Sequence, residues 1–140
     1  MAQAQFTDEG PDPFVVDIES VTIANENYRS TLWTGAHLQM TVMSIEPGRD
    51  IGLERHPDRD QFLRIESGRG RVQMGPDRDT LPFDREVEDD WAVLVPAGAW
   101  HNVTNLGDKP LKVYAIYGPP EHPHGTVHPT KADADAAEHH

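Results

Sequence analysis

The feature that most constrains the fold is a short apolar run that ends at a proline and is followed by a histidine. Residues 91–95 (WAVLV) are apolar and rich in β-branched side chains, which is typical of a buried strand. Pro96 and Gly98 predict a tight turn, because proline cannot continue a strand ladder and glycine tolerates positive φ. A second strand should follow, with His101 and Asn105 on one face. Such a hairpin would hold a single imidazole inside a β-barrel, as a metal ligand requires.

A related pattern lies upstream, and the two patterns together resemble the paired motifs of the cupin superfamily. The matching positions are Pro47, Gly48, Glu54, His56, Gln61 and Gly68 in the first motif, and Pro96, Gly98, His101 and Asn105 in the second. Three positions depart from the usual motifs. Glu54 stands where the first histidine is usual, Gln61 where the glutamate is usual, and Asp90 where the second motif begins with glycine. Two motifs in order and at the expected spacing are a specific signal.

This resemblance implies an all-β fold, the double-stranded β-helix (jelly-roll) barrel of cupins. We expect a single cupin domain over residues 1–140, with a barrel core at about 30–118 and a short C-terminal tail. Residues 1–13 should form a loose arm and residues 119–140 the tail, whose Ala-rich end (131–138) predicts a short helix capped by Thr130.

Several further elements are predicted from local patterns. The alternating segment Phe14–Ile23 reads as a strand that pairs with a partner subunit. Residues 61–65 and 69–74 predict a hairpin, residues 75–90 a surface excursion, and residues 111–117 the last barrel strand. Because an open strand edge must be covered, the strand at 14–23 leads us to expect a homodimer.

The cupin resemblance further implies one divalent metal ion, held by Glu54, His56, Gln61 and His101. Their combined charge of −1 equals that of the usual three histidines and one glutamate. In a second possible register, Asp58 takes the place of Glu54. Glu54 is preferred because it preserves the spacing to both motif glycines, and Asp58 then lies behind the ligands or beside the substrate. Either carboxylate could move protons in catalysis.

Two imidazoles and one carboxylate are the donor set expected of a non-haem Fe(II) site, although Zn, Mn, Ni or Co could be held by the same groups. The overall pattern resembles small bacterial cupins of the mannose-6-phosphate isomerase-like type. It implies a metal-dependent enzyme acting on a small molecule, similar to sugar-phosphate isomerases. The alternatives are a non-haem iron dioxygenase and a non-catalytic module that binds a sugar or a small organic acid.

Composition excludes other classes of function. The chain carries 12 Lys and Arg against 24 Asp and Glu, a net charge of −12, which argues against nucleic acid or an anionic membrane as partner. It has no cysteine, so thiolate metal sites are excluded. Without a signal peptide or a long apolar run, a cytoplasmic location is expected. The histidines of the proline-rich segment 119–128 (His122, His124 and His128) are interpreted as a solvated loop rather than a metal-binding tract.

Overall fold

The structure, a computed structural model, describes residues 7–138. Within that range the chain forms ten strands and two short helices. In chain order these are α1 (Ile18–Ala24), β1 (Arg29–Thr34), β2 (Gln39–Ile45), β3 (Glu54–Arg55), β4 (Asp60–Ser67), β5 (Arg69–Gly75), β6 (Phe83–Glu88), β7 (Ala92–Val95), β8 (Trp100–Asn105), β9 (Leu111–Gly118), β10 (Val127–His128) and α2 (Lys131–Glu138).

The strands form two antiparallel sheets that enclose one apolar core. The six-stranded sheet has the order β10-β1-β2-β9-β4-β7, and the four-stranded sheet has the order β3-β8-β5-β6. Strand β9 alternates strictly between buried and half-buried residues, as expected when one face of a sheet packs inward. Buried side chains from both sheets, such as Leu63 and Val113 facing Val72 and Val103, belong to one cluster. The predicted jelly-roll barrel is confirmed.

Two predicted hairpins are wrong, because each turn carries the chain from one sheet to the other. Strand β7 belongs to the six-stranded sheet and β8 to the four-stranded sheet. Gly98 between them has a φ of 88°, and the Ala99 N–H donates to the Pro96 carbonyl at 3.1 Å. Strands β4 and β5 are divided in the same way at Gly68, which has a φ of 115°. The alternation along a strand is visible in its sequence, but the strand with which it pairs is not. Local patterns therefore could not distinguish a hairpin from a turn that crosses between the two sheets.

The predicted strand at 14–23 is also wrong, because residues 18–24 form the helix α1. Asp17 caps this helix: its carboxylate accepts hydrogen bonds from the Ser20 N–H at 3.2 Å and the Ser20 hydroxyl at 2.9 Å. Thr22 is fully buried, and its hydroxyl donates to the Ile18 carbonyl at 2.7 Å. The cap outweighed the strand preference of the β-branched residues. The homodimer was predicted from this strand, which is absent, and it stays a prediction.

Strand β6 lies inside the segment 75–90, which had been predicted as a surface excursion. It pairs with β5 at the edge of the four-stranded sheet and buries only Val87. The predicted C-terminal helix is present as α2, and the Thr130 hydroxyl accepts a hydrogen bond from the Asp133 N–H at 3.2 Å. No helix in residues 7–138 is both long and apolar enough to cross a membrane.

The first described residues are fastened rather than loose, so the predicted arm is wrong from residue 7 onwards, and residues 1–6 lie outside the described range. The Asp8 side chain is buried and accepts hydrogen bonds from the N–H groups of Gly10 (3.0 Å), Thr34 (2.9 Å) and Gly125 (3.0 Å). The Thr34 hydroxyl also donates to it at 2.6 Å. Asp8 therefore joins the beginning of the described chain to β1 and to the C-terminal tail.

We expect Asp8→Ala to lower the free energy of unfolding by about 2–4 kcal/mol, because it leaves several buried donors without an acceptor. Urea unfolding followed by circular dichroism measures this change. Asp12→Ala is the matched control, since the Asp12 side chain is exposed and makes no hydrogen bond to any residue in the described part of the chain. Equal stabilities of the two variants would show that the Asp8 contacts do not hold the arm.

Candidate metal centre

The candidate centre is built on the pairing between β3 and β8. Glu54 lies directly opposite His101 in this antiparallel pair, so both side chains project to the same face. His56 follows two residues after Glu54. One oxygen of Glu54, Oε1, lies 3.4 Å from His56 Nε2 and 3.5 Å from His101 Nε2. The possible ligand atoms of the three residues all lie within 4.8 Å of one another.

Their bonding state fits a divalent cation. Both Nε2 atoms are buried and neither has a hydrogen-bond partner among the described residues. His101 is completely buried, and its Nδ1 lies 3.1 Å from the Ala99 carbonyl. Since a carbonyl can only accept, Nδ1 carries a proton, and Nε2 is the ring nitrogen that faces Glu54. A second ring nitrogen held by a backbone carbonyl is the usual arrangement of a metal-binding histidine.

Gln61 enters the same interior from the six-stranded sheet. It pairs with Tyr117 of β9, which in turn pairs with Gln39 of β2, so the three side chains form one inward-facing row. Gln61 is 4% exposed, and its Oε1 is buried without a hydrogen-bond partner among residues 7–138. A neutral carbonyl oxygen is thus available on the inward face of the six-stranded sheet.

Asp58 does not join this group. Its side chain is 71% exposed, and its carboxylate pairs with Arg59 Nη1 at 2.9 Å. The structure therefore places Glu54, rather than Asp58, against the imidazoles.

Glu121, which the sequence analysis missed, holds the other side of His56. Its Oε2 lies 3.3 Å from His56 Nδ1, and its Oε1 lies 2.9 Å from Arg59 Nη1. Both imidazoles are therefore fixed at Nδ1, His101 by a backbone carbonyl and His56 by a carboxylate. No motif pointed to Glu121, because its contact depends on how the tail returns across the barrel.

Gln39 fixes that return. Its side-chain oxygen accepts hydrogen bonds from the backbone N–H groups of Glu121 (3.1 Å) and His122 (2.9 Å), and its Nε2 donates to the His122 carbonyl at 2.7 Å. The interpretation of the tail histidines as solvated is wrong for His122. Its ring packs edge-on against Tyr117 with 5.4 Å between centroids, and its Nε2 is buried. His124 remains half-exposed.

In the metal-free protein, the surroundings of the site favour an ionised Glu54 and a protonated His56. Burial alone would raise the pKa of Glu54, but His101 and His56 outweigh it and hold that pKa at about 2. Burial would likewise lower the pKa of His56, but Glu121 and Glu54 raise it to about 9. A cation that binds here must displace the His56 proton, so binding releases protons.

Comparison with known proteins agrees with this geometry. The cupin domain model matches residues 41–117, a region that contains all four predicted ligands. The chain belongs to the cupin family. It is 62% identical over 131 residues to the uncharacterized protein YrkC of Bacillus subtilis, covering 94% of this chain and 70% of that protein. It is 36% identical over 115 residues to the uncharacterized protein L612 of Acanthamoeba polyphaga mimivirus, covering 81% of this chain and 70% of that one.

Among solved structures, this cupin resembles BH2720 from Bacillus halodurans with a TM-score of 0.92 and 64% identity, covering 93% of this chain and 98% of that one. More distant structures share the fold alone. They include a candidate sugar phosphate isomerase from Acidithiobacillus ferrooxidans (22% identity, TM-score 0.51) and an oxalate decarboxylase from Lactobacillus farciminis (20% identity, TM-score 0.56). These two aligned regions cover 60% and 61% of this chain, and 51% and 25% of those chains. One fold thus carries different named activities.

The pKa of His56 predicts how the stability of the metal-free cupin depends on pH. Folding raises this pKa from 6.5 to about 9, so its contribution is fully present below pH 6.5 and is lost as pH rises through about 9. The lowered pKa values of His122 and His128 change the free energy of unfolding only below pH 6.5. With EDTA present, the urea midpoint should fall more steeply between these two pH values in the wild type than in His56→Gln. Parallel pH profiles would contradict the assignment.

The contact between Glu121 and His56 makes a separate prediction. We expect Glu121→Ala to weaken Zn²⁺ or Mn²⁺ binding by about 10–100-fold, because the carboxylate orients the imidazole and increases its basicity. Competition with a chromophoric chelator measures the affinity. Glu88→Ala, which removes an exposed carboxylate from β6, is the control for the loss of one negative charge. If both variants bind metal like the wild type, Glu121 does not position His56.

Proposed function

We propose that this cupin binds one divalent metal ion through Glu54, His56 and His101, with Gln61 at a fourth position, and that it is a metal-dependent enzyme acting on a small molecule. The observation that carries this proposal is the convergence of two buried Nε2 atoms, at 3.4 and 3.5 Å, on one carboxylate oxygen. Neither Nε2 makes a hydrogen bond to a described residue, and a bound cation would give both buried atoms a direct partner.

The protein's own groups hold and orient this centre. Glu54 supplies the negative charge, while His101 and His56 are fixed from behind by Ala99 and Glu121. When bound, a divalent cation polarises a carbonyl group or lowers the pKa of water. Tyr117 lies edge-on to His56 with 5.8 Å between ring centroids, and burial raises its pKa. It therefore stays protonated and can offer a neutral hydrogen-bond donor to a ligand.

An isomerase-like reaction on a sugar or small organic acid is the first candidate. It requires a group that moves a proton beside a polarised carbonyl, and Glu54 is the carboxylate that lies against both imidazoles. Asp58, being mostly exposed, could act only on a ligand at the outer edge of the site.

A non-haem iron dioxygenase is the second candidate, and the donor set supports it. Two imidazoles and one carboxylate are the protein ligands of the facial triad in Fe(II) oxygenases. Metal analysis of protein purified without supplement separates the candidates. Iron with substrate-dependent oxygen consumption favours the dioxygenase, and zinc or manganese favours the isomerase. A metal-free protein that binds a sugar or an acid without turnover would show a binding module instead.

We expect His101→Ala and Glu54→Ala to lose metal while keeping the fold, because neither substitution removes an apolar side chain from the core between the sheets. Removing the anionic ligand should weaken binding far more than removing an outer group, for which about 10–100-fold is typical. Asp58→Ala is the matched control and should bind metal nearly as well as the wild type. Metal content and calorimetric titration test this set. Full metal occupancy in His101→Ala, or a larger loss in Asp58→Ala than in Glu54→Ala, would overturn the proposal.

A further inference from the structure

Arg29 is a buried cation without a carboxylate partner. It lies on β1, is 3% exposed, and forms no ion pair with any residue from 7 to 138. Its contacts are neutral: Nη1 lies 3.3 Å from His128 Nδ1, and the guanidinium lies over the Tyr28 ring at 5.2 Å. Burial and then Arg29 lower the pKa of His128, so that imidazole carries no charge at neutral pH. No described carboxylate is therefore bonded to Arg29.

One edge of this guanidinium is also unsatisfied. Arg29 Nε is buried and has no hydrogen-bond partner in the described part of the chain. Burying a charge without a partner costs several kcal/mol, and buried arginines are normally paired for that reason. A buried guanidinium with no bonded carboxylate and a free Nε can take a partner from outside the chain.

Two further polar atoms near Arg29 are unpaired in the same way. They are Thr41 Oγ1 and His122 Nε2, both buried. Arg29 pairs with Met43 across β1 and β2, and Thr41 lies two residues from Met43, on the same inward face. His122 approaches from the tail, with its ring centroid 6.5 Å from that of His128. Burial, and then Arg29, lower the pKa of His122 to about 3, so it is neutral.

We propose that Arg29, with Thr41 and His122, forms a subsite that binds the carboxylate of a small organic acid. A single guanidinium without a second cation beside it matches a monoanion better than a phosphate dianion. A guanidinium edge also matches a planar carboxylate in bidentate geometry. The hydroxyl of Thr41 can donate to the anion, and a neutral imidazole can donate through Nε2.

The subsite adjoins the candidate metal centre through a single ring. Tyr117 contacts His56 on one side (5.8 Å between centroids) and His122 on the other (5.4 Å). The acid held at Arg29 would be the small molecule that reaches the metal, and in this respect the inference rests on the proposed function. It selects an acid over a neutral sugar as the ligand class.

Thermal unfolding of the full chain in EDTA tests the subsite without any metal. The probes are sodium acetate, inorganic phosphate and sodium chloride at equal ionic strength. We expect acetate at about ten times its Kd to raise the Tm of the wild type by about 4–6 °C, beyond the effect of chloride. Arg29→Met and the isosteric Thr41→Val should lose or reduce this response. Arg85→Met, which removes an exposed guanidinium from β6, should keep it.

Separate outcomes decide the subsite and the metal centre. His101→Ala should lose metal and keep the acetate response, so failure of the metal centre leaves the subsite testable. An acetate response no larger than that of chloride would overturn the inference, as would an acetate response that persists in both Arg29→Met and Thr41→Val. A phosphate response larger than that of acetate and dependent on Arg29 would overturn the carboxylate assignment.

Discussion

The candidate centre depends on the register between two short strands, in which Glu54 lies opposite His101. Strand β3 has only two residues, so a shift by one position would turn Glu54 away from the barrel interior. The loop before β3 also holds this register, for example through the hydrogen bond from the Ile51 N–H to the Val103 carbonyl of β8 at 3.1 Å. The positions of the ligand atoms thus follow from backbone pairing before any cation is present.

Most of the fold could be predicted because its signals are local. The alternation of β9 and the Pro96–Gly98 turn depend on residues close together in the chain, and each motif lies within one continuous segment, residues 47–68 or residues 96–105. The same locality explains the errors. Which sheet a strand joins is decided by packing across the barrel. The two turns that cross between the sheets, at Gly68 and Gly98, were therefore predicted as hairpins. The helix at 18–24 was missed because one aspartate cap outweighed a run of β-branched residues.

The candidate site was predictable to the same extent. His101, His56 and Glu54 carry motif spacing, and their ligand atoms lie together. Glu121 and Arg29 carry none, because each reaches the interior through a contact between distant parts of the chain. Glu121 reaches His56 only because Gln39 holds the tail in place. Arg29 stands out only because it has no bonded carboxylate and its Nε has no hydrogen-bond partner among the described residues. An unsatisfied group is a property of three-dimensional surroundings, so no sequence pattern can display it.

The clamp formed by Gln39 also sets an order of events during synthesis. Glu54, His56 and His101 leave the ribosome before Glu121, yet His56 is held at Nδ1 only after the tail has returned to Gln39. The hydrogen bonds of Asp8 are likewise complete only after this segment has emerged, since one of its donors is the Gly125 N–H. A nascent chain therefore has strands β1 to β9 before it has a finished centre, and a segment that emerges after them completes it.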